Sequence, residues 1–360
     1  MITISVCMIV KNEEDVLARC LDCARRFADE IIVVDTGSTD KTKEIAKDFT
    51  ENVYDFVWTD DFSAARNESF LHATKDYCLW LDADDILEES EIEKLLRLKE
   101  TLDPQTNAVY MKYHTGFDAQ GKPSFSYFRE RMIRRTAGMV WQGAVHEAIA
   151  AYGKTLHTDI AVTHRKLKVK DPDRNLRIYE KELEKGHVLS PRDLFYYARE
   201  LTYHRRDEEA ESLLENVIDS DEAWIENRIE ACRTLSQCRL RLGKPREALE
   251  ALLQSLRFDS PRAEICCDIG LHFLQKKQYR QAAFWYESAL SHPRNDASGA
   301  FVLPECYDYI PNIQLCVCYY YLGDLPRSLR HNEAAGDVNP NGSAYQYNQK
   351  FFQTVNVPAH

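Results

Sequence analysis

Nowhere do the 360 residues run 18 or more apolar side chains together, which excludes a membrane-spanning helix of ordinary length. The opening MITISVCMIVKNEED has neither a basic n-region nor a small-residue cleavage site, so it does not read as a signal peptide. Positive charge is also in deficit: 46 Lys and Arg stand against 58 Asp and Glu, a formal charge of −12. Such a surface lacks the positive field that nucleic acid or an anionic membrane requires, so neither is expected as a general partner. An even, paired set of cysteines is missing as well. There are eleven, and Cys7, Cys78, Cys232 and Cys238 fall inside apolar segments. That pattern suits buried thiols in a reducing cytoplasm, not a disulfide framework. The one CxxC, Cys20 to Cys23, has no second cysteine pair at zinc-site spacing and reads as helix packing.

What is present is an ordinary globular composition, 44% hydrophobic and 29% charged, with length for two domains. The first 85 residues alternate strand and helix signals. ISVCMIV (4–10), EIIVVD (30–35), VYDFVW (53–58) and YCLWLD (77–82) read as strands. Between them, Asn12 to Arg26, KTKEIAKDF and Ala64 to Thr74 have helical spacing, with Asp40 placed to cap the second. Continuous apolar strands separated by single helices predict a mostly parallel sheet covered on both faces, an α/β domain of Rossmann-like type. Ligands of such sheets bind at the carboxyl ends of the strands, where Asp35 and Asp82 stand. A charged helix over Glu88–Leu102 and strands around Ala108–His114, Phe125–Arg134 and Thr155–Thr163 complete this half.

From about Asp171 the pattern turns helical. Leu194–Ile218, Arg228–Phe258, Ala263–Leu290 and Pro311–Val338 read as helix pairs. Ala210, Ala248 and Ala282 open the second helices of the first three pairs, with steps of 38 and 34 residues. Those steps lie close to the tetratricopeptide period. No such unit buries its apolar face alone, so an all-α stack of tetratricopeptide-like repeats is predicted.

The sharpest chemistry is Asp82-Ala83-Asp84-Asp85 after an apolar strand. In an extended backbone, positions i and i+2 point the same way, so Asp82 and Asp84 are expected to share one oxygen-seeking cation, Mn²⁺ or Mg²⁺. Acidic clusters also cap helices and fill turns, and the context decides. Ser5 to Glu14, Ile31 to Asp40, Phe62-Ser63-Ala64-Ala65-Arg66-Asn67 and Asp82-Ala83-Asp84 follow one another in this order. Together they resemble the family 2 glycosyltransferases, which have an A-type nucleotide-diphospho-sugar-binding fold. The resemblance covers roughly residues 1–165, and a repeat-bearing C-terminus resembles a bacterial branch of the family.

The resemblance implies roles residue by residue. Ile9, Val10, Lys11, Asn12 and Glu13 border the base and ribose, and Asp35 accepts from the nucleoside. Arg66 lies near the phosphates or braces the aspartates. Asp82 and Ala83 approach the ribose and sugar, Asp84 is the principal metal ligand, and Asp82 shares the metal. His164 is a further metal or phosphate ligand. Trp141-Gln142-Gly143-Ala144-Val145-His146-Glu147 resembles a signature of the repeat-bearing branch. It offers Glu147 as the general base, with His146 as its substitute or its positioner. Where many members have Pro-Thr-Tyr-Asn, this chain has Ile9-Val10-Lys11-Asn12, so the Tyr that flanks the base is missing.

These features divide the chain into a nucleotide-sugar-binding catalytic domain (1–165), a linker and packing helix (166–190), tetratricopeptide-like repeats (191–345) and a tail (346–360). The expected function is metal-assisted, inverting sugar transfer from a nucleotide-diphospho-sugar to a peptide, protein or cell-envelope glycan. The repeats would hold a peptide, a protein or a second copy of the chain. Two other readings stay open: a non-catalytic repeat scaffold, and a different nucleotide-sugar enzyme. The latter would normally carry a Gly-rich loop after the first strand, and Val10-Lys11-Asn12-Glu13-Glu14 contains no glycine.

Overall fold

In a computed structural model, β1 (Ile4–Val10) is the third strand of an eight-stranded sheet. The structure describes residues 1–117, 121, 123–165, 171–296 and 299–354. The chain forms two compact units, Met1–Leu189 and Ser190–His360. The first residues of the expected linker, 166–170, and the last of the expected tail, 355–360, lie outside the described residues.

The first unit is α/β. After β1 come α1 (Leu17–Ala24), β2 (Glu30–Asp35), α2 (Thr42–Lys47), β3 (Val53–Asp55), α3 (Phe62–Leu71) and β4 (Tyr77–Trp80). Then follow β5 (Asp85–Ile86), α4 (Glu89–Thr101), β6 (Ala108–Phe117), β7 (Pro123–Arg134), β8 (Trp141–Gln142), β9 (Ala148–Ile149), β10 (Thr155–His164) and α5 (Arg174–Glu184). The sheet order is β3-β2-β1-β4-β7-β6-β10-β5, and β8 and β9 form a separate hairpin. Strands β1 to β4 pair in parallel, as do β6 and β10, whereas β7 runs antiparallel to both of its neighbours and β5 antiparallel to β10. The nearly unbroken apolar run of β1 follows from burial on both faces. Ile4, Val6, Met8 and Val10 pack with Leu17, Leu21, Ile92 and Leu95, while Cys7 packs oppositely with Ile32, Val34 and Cys78.

Three expected elements are shorter than their sequence patterns. The helix expected from Asn12 begins only at Leu17. Asn12 has φ 55°, and the amides of Asn12, Glu13 and Glu14 donate to side chains of Ser38, Thr42 and Asp40. The loop after β1 is thereby tied to the loop after β2. Strand β3 stops at Asp55, level with Asp35 where its partner β2 ends, and Val57 beyond it is exposed. Strand β4 stops at Trp80 because the next residues turn: Asp85 N donates to Asp82 O and Asp82 N to Asp85 Oδ2, both at 3.0 Å. Asp40 does serve the start of α2, accepting from Thr42 N at 3.0 Å.

The second unit stacks four helix pairs: α6 (Pro191–Tyr203) with α7 (Asp207–Asp219), α8 (Ile225–Arg241) with α9 (Pro245–Gln254), α10 (Ala263–Gln275) with α11 (Tyr279–Ser291), and α12 (Tyr309–Tyr321) with α13 (Leu325–Val338). A last helix, α14 (Ser343–Thr354), runs into the stretch expected as a tail. Within every pair the turn is three residues long and its middle residue is left-handed: Arg205, Gly243, Lys277 and Gly323, with φ of 61°, 74°, 59° and 81°. The residue after it donates back to the fifth residue before it: Arg206 to Leu201, Lys244 to Arg239, Gln278 to Phe273 and Asp324 to Tyr319, at 2.8–2.9 Å. This is the Schellman helix ending, with its left-handed residue, repeated four times. Ala210, Ala248 and Ala282 are fully buried where the paired helices meet, and Ser328 takes that place in the fourth pair.

Candidate active site

The site forms where β1, β2 and β4 end. Asp35, the last residue of β2, is 1% exposed. Its Oδ1 accepts from the amides of Gly37 and Ser38, each at 2.9 Å, and so shapes the Thr36-Gly37-Ser38 turn. Its Oδ2 is buried and has no partner among the described residues. Val10 O accepts from Thr36 N, and Asn12 Oδ1 accepts from Thr39 N at 2.8 Å, so the two loops form one rigid rim. Along that rim Ile9 is half-buried, Val10 buried and Lys11 exposed.

The turn after β4 sends its aspartates in different directions. Because Ala83 and Asp84 lie in a turn, Asp82 and Asp84 do not share the side-by-side geometry of a strand. Asp82 faces Arg66 on α3, with Oδ1 2.7 Å from Nη2. Arg66 is buried, and its Nε lies 2.5 Å from Oε1 of Glu147, making a carboxylate–guanidinium–carboxylate bridge. Burial alone would raise the Asp82 carboxyl, but the charges of Arg66 and Arg131 outweigh it and hold the group down at about 2. Arg66 stands over the rings of Trp80 and Trp141 at 4.7 and 5.0 Å from their centroids, an arrangement that favours the cation. Ala83 is buried within the turn.

Asp84, Asp85 and His164 form a second group, with one ligand atom of each within 4.8 Å of the others. Asp85 is fully buried and accepts three hydrogen bonds. Its Oδ2 accepts from Arg131 (2.9 Å) and from Asp82 N, and its Oδ1 accepts from the Tyr113 hydroxyl (2.9 Å). The same hydroxyl lies 2.9 Å from His164 Nδ1, and with its one proton given to Asp85 its oxygen is left to accept from the ring. Burial opposes charge on His164, but Asp84 and Asp85 prevail and push its pKa up to about 9. A carboxylate beside an imidazole is a donor set that Mn²⁺ accepts readily and that carboxylate-seeking Mg²⁺ shares in part. Asp85 is already committed to Arg131, Tyr113 and the turn, so Asp84 and His164 are the members of this group with the most freedom to hold a cation. Asp82, expected in that set, is instead engaged by Arg66.

Glu147 and His146 lie on the β8–β9 hairpin. Gly143 and His146 take φ of 98° and 51° in its loop, and Ala144 O accepts from Phe62 N at the start of α3. Asn67 fixes the hairpin from below, with Oδ1 accepting from Trp141 N and Nδ2 donating to Trp141 O. Glu147 is thus delivered beside the aspartate turn although 62 or more residues separate it from that turn. Sequence reasoning missed Asp85, Arg131 and Tyr113 as parts of the site. Arg131 carried little signal of its own, because it stands among Arg129, Glu130 and Arg134 in the same strand.

Residues 5–153 match the family described as Glycosyl transferase family 2. A TPR repeat-containing protein of Synechococcus elongatus is 37% identical over 149 residues, 41% of this chain and 36% of that protein. The SPbeta prophage-derived glycosyltransferase SunS of Bacillus subtilis is 28% identical over 243 residues, 63% of this chain and 56% of that protein. The matched stretches therefore span between about a third and just over half of those relatives' lengths. Among solved structures, MamA has a TM-score of 0.37 at 14% identity over 48% of this chain and 95% of that one, a likeness too slight to argue from. Among the described residues, no helix is long and apolar enough to cross a membrane.

Proposed function

We propose that the first unit is a glycosyltransferase moving a sugar, with inversion, from a nucleotide-diphospho-sugar to a peptide or protein acceptor, with a cell-envelope glycan as the competing acceptor. The observation that carries the donor side is the unpartnered Oδ2 of Asp35. Leaving such an oxygen buried costs about 1–3 kcal/mol, a cost that a ribose hydroxyl or base N–H would remove on binding. Lys11, Asn12 and Glu13 border the same rim and would line the nucleoside.

Asp84 and His164 would hold Mn²⁺ or Mg²⁺, which when bound offsets charge developing on the diphosphate. Arg66 keeps Asp82 ionised and oriented toward the donor's ribose and sugar. Glu147 accepts the acceptor's proton, with His146 beside it on the hairpin. One observation favours a second role for Glu147. Its bond to Arg66 makes it a brace that fixes the guanidinium, in which case His146 takes the proton.

The reading is tested by thermal unfolding with a panel of nucleotide-diphospho-sugars, with and without Mn²⁺. One donor is expected to raise the melting temperature only in the presence of metal. Asp84→Ala is expected to remove that metal-dependent rise and to lower transfer on the order of 10²-fold or more, the scale of losing one electrostatic stabiliser. Full transfer by Asp84→Ala would discard the metal role. Glu147→Gln that loses donor affinity along with transfer would favour the brace over the base.

A further inference from the structure

Strand β7 is longer than the strand it lies against. Met132, Ile133 and Arg134 pair with Leu79, Cys78 and Tyr77 of β4, whereas the residues from Phe125 to Glu130 pair with β6. Because β7 runs antiparallel to β4, those earlier residues project past the carboxyl end of β4, on the side of the sheet where the site lies. Arg129 belongs to that overhang. Its guanidinium stands 5.0 Å from the centroid of the Trp80 ring, the same ring that Arg66 and Arg131 approach.

The three guanidiniums differ in what they have left to give. Arg66 is held by two carboxylates, Asp82 at 2.7 Å and Glu147 at 2.5 Å, and its side chain is 8% exposed. Arg131 has a wholly buried side chain fixed to Asp85. The Arg129 side chain is 25% exposed. It donates to Glu130 Oε1 and to Glu147 O, and both bonds are 3.3 Å long and come from Nη2. Charge-assisted bonds of this kind ordinarily measure about 2.7–2.9 Å. Neither bond uses Nε or Nη1, and a guanidinium has five N–H donors to place.

Arg129 also stands between the two chemical groups of the site. On one side it holds the backbone of Glu147. On the other lies Tyr127, whose phenol is pushed up by burial and drawn back by the Arg129 charge. The Tyr127 ring meets that of Tyr113 at 5.7 Å, and the Tyr113 hydroxyl is 2.9 Å from His164 Nδ1. A diphosphate ester lying with its sugar at Glu147 and its phosphates toward His164 would meet this guanidinium, whose planar fork matches phosphate oxygens.

We infer that Arg129 is a catalytic residue of the transfer: Nε and Nη1 take oxygens of the leaving diphosphate while Nη2 keeps hold of the Glu147 carbonyl. The inference rests on the transferase reading given above. In the step it serves, the bond from the anomeric carbon to the diphosphate oxygen breaks and its electron pair stays on that oxygen. The acceptor's heteroatom forms the new bond to the carbon and passes its proton to the hairpin base. Arg129 meets the negative charge that the diphosphate gains. Glu130 competes for the same cation in the resting protein, and its long bond is the one that yields.

The probe is inorganic pyrophosphate with Mg²⁺, which carries the diphosphate without a base or a sugar, titrated calorimetrically into the full chain. Arg129→Gln is expected to weaken pyrophosphate binding at least about ten-fold, the scale of a lost charge-assisted bond. Arg129→Lys is expected to recover only part of that loss, because a point charge replaces the fork. Glu130→Gln removes the competing carboxylate and is expected to tighten binding about three-fold, but only while Arg129 is present. An arginine with a merely structural role predicts the reverse, since losing its carboxylate partner could only loosen the site. Equal affinity in native and Arg129→Gln chains would overturn the role of Arg129 and leave the transferase reading standing. So would a Glu130→Gln gain of the same size with and without Arg129. A native chain with no affinity for pyrophosphate at millimolar concentration would overturn both.

Discussion

The two units bury charge in opposite ways. In the first, Arg66, Arg131, Asp82, Asp85 and Glu147 converge on the end of one strand, around the Trp80 ring that Arg131 approaches to 3.7 Å. In the second, buried or half-buried charge is spread along the stack and joins one pair to the next. Arg241 meets Asp207, Arg239 meets Glu211, Arg233 meets Asp268 and Arg262 meets Glu226. Concentrated charge fixes the orientation of the side chains around one turn. Distributed charge serves to fix the register of neighbouring repeats, and no single pair is indispensable to a stack held by nearest neighbours.

The largest test of that contrast removes one arginine from each unit. Arg131 and Asp85 both have fully buried side chains. Arg131→Met leaves the carboxylate buried without its cation, and the expected loss is about 3–5 kcal/mol, read by urea unfolding. Arg241 is 29% exposed at its side chain, and Arg241→Ala is expected to cost no more than about 1 kcal/mol. Comparable losses from the two substitutions would break the distinction between an organised cluster and a distributed one.

A smaller effect concerns protons at the cluster. In the metal-free protein, His164 carries its proton up to about pH 9, whereas an ordinary imidazole gives it up near 6.5. A folded-state pKa raised in this way contributes stability that is fully present below about pH 6.5 and is lost as pH rises through about 9. A cation and a proton compete for the same ring, so Mn²⁺ affinity is expected to rise with pH by as much as about tenfold per unit until about 9. Titration calorimetry from pH 6.5 to 9 measures it. His164→Gln is expected to flatten both dependences, and an unchanged slope in that variant would assign the proton to another group.

Much of this arrangement was legible in the sequence, and the residues show why. β1 and β2 lie where their apolar runs place them, residue for residue, because burial on both faces leaves no alternative reading. The helix pairs were equally plain, since each repeats the same turn and the same small buried residue. The failures share one cause, which is a partner distant in sequence. Asn12 to Val16 has helical spacing, yet the amides of residues 12–14 are taken by side chains 26 to 29 residues away. Asp82 and Asp84 read as an extended pair, yet the turn closed by Asp85 sends one to Arg66 and the other toward His164. Asp85 itself looked like a third acidic residue in a cluster. Only Arg131 and Tyr113, brought in from β7 and β6, make it the cluster's anchor.

The finest comparison lies inside the second unit, where four turns of one geometry carry two kinds of residue. Gly243 and Gly323 occupy the left-handed position in two pairs, Arg205 and Lys277 in the others. A side chain in that conformation costs about 1–2 kcal/mol relative to its ordinary regions, and glycine avoids this cost while bringing more freedom to the unfolded chain. An added Cβ at Gly243 would meet nothing within 4 Å, so Gly243→Ala changes backbone preference and no packing. It is expected to destabilise the unit by about 1 kcal/mol. Lys277→Gly is expected to act in the other direction and to gain a few tenths of a kcal/mol, roughly the difference between the two conformational terms. Chemical unfolding of both variants measures the pair. Shifts of the same sign would mean that the four turns differ in more than their central residue, and that the repeats are less alike in energy than they are in geometry.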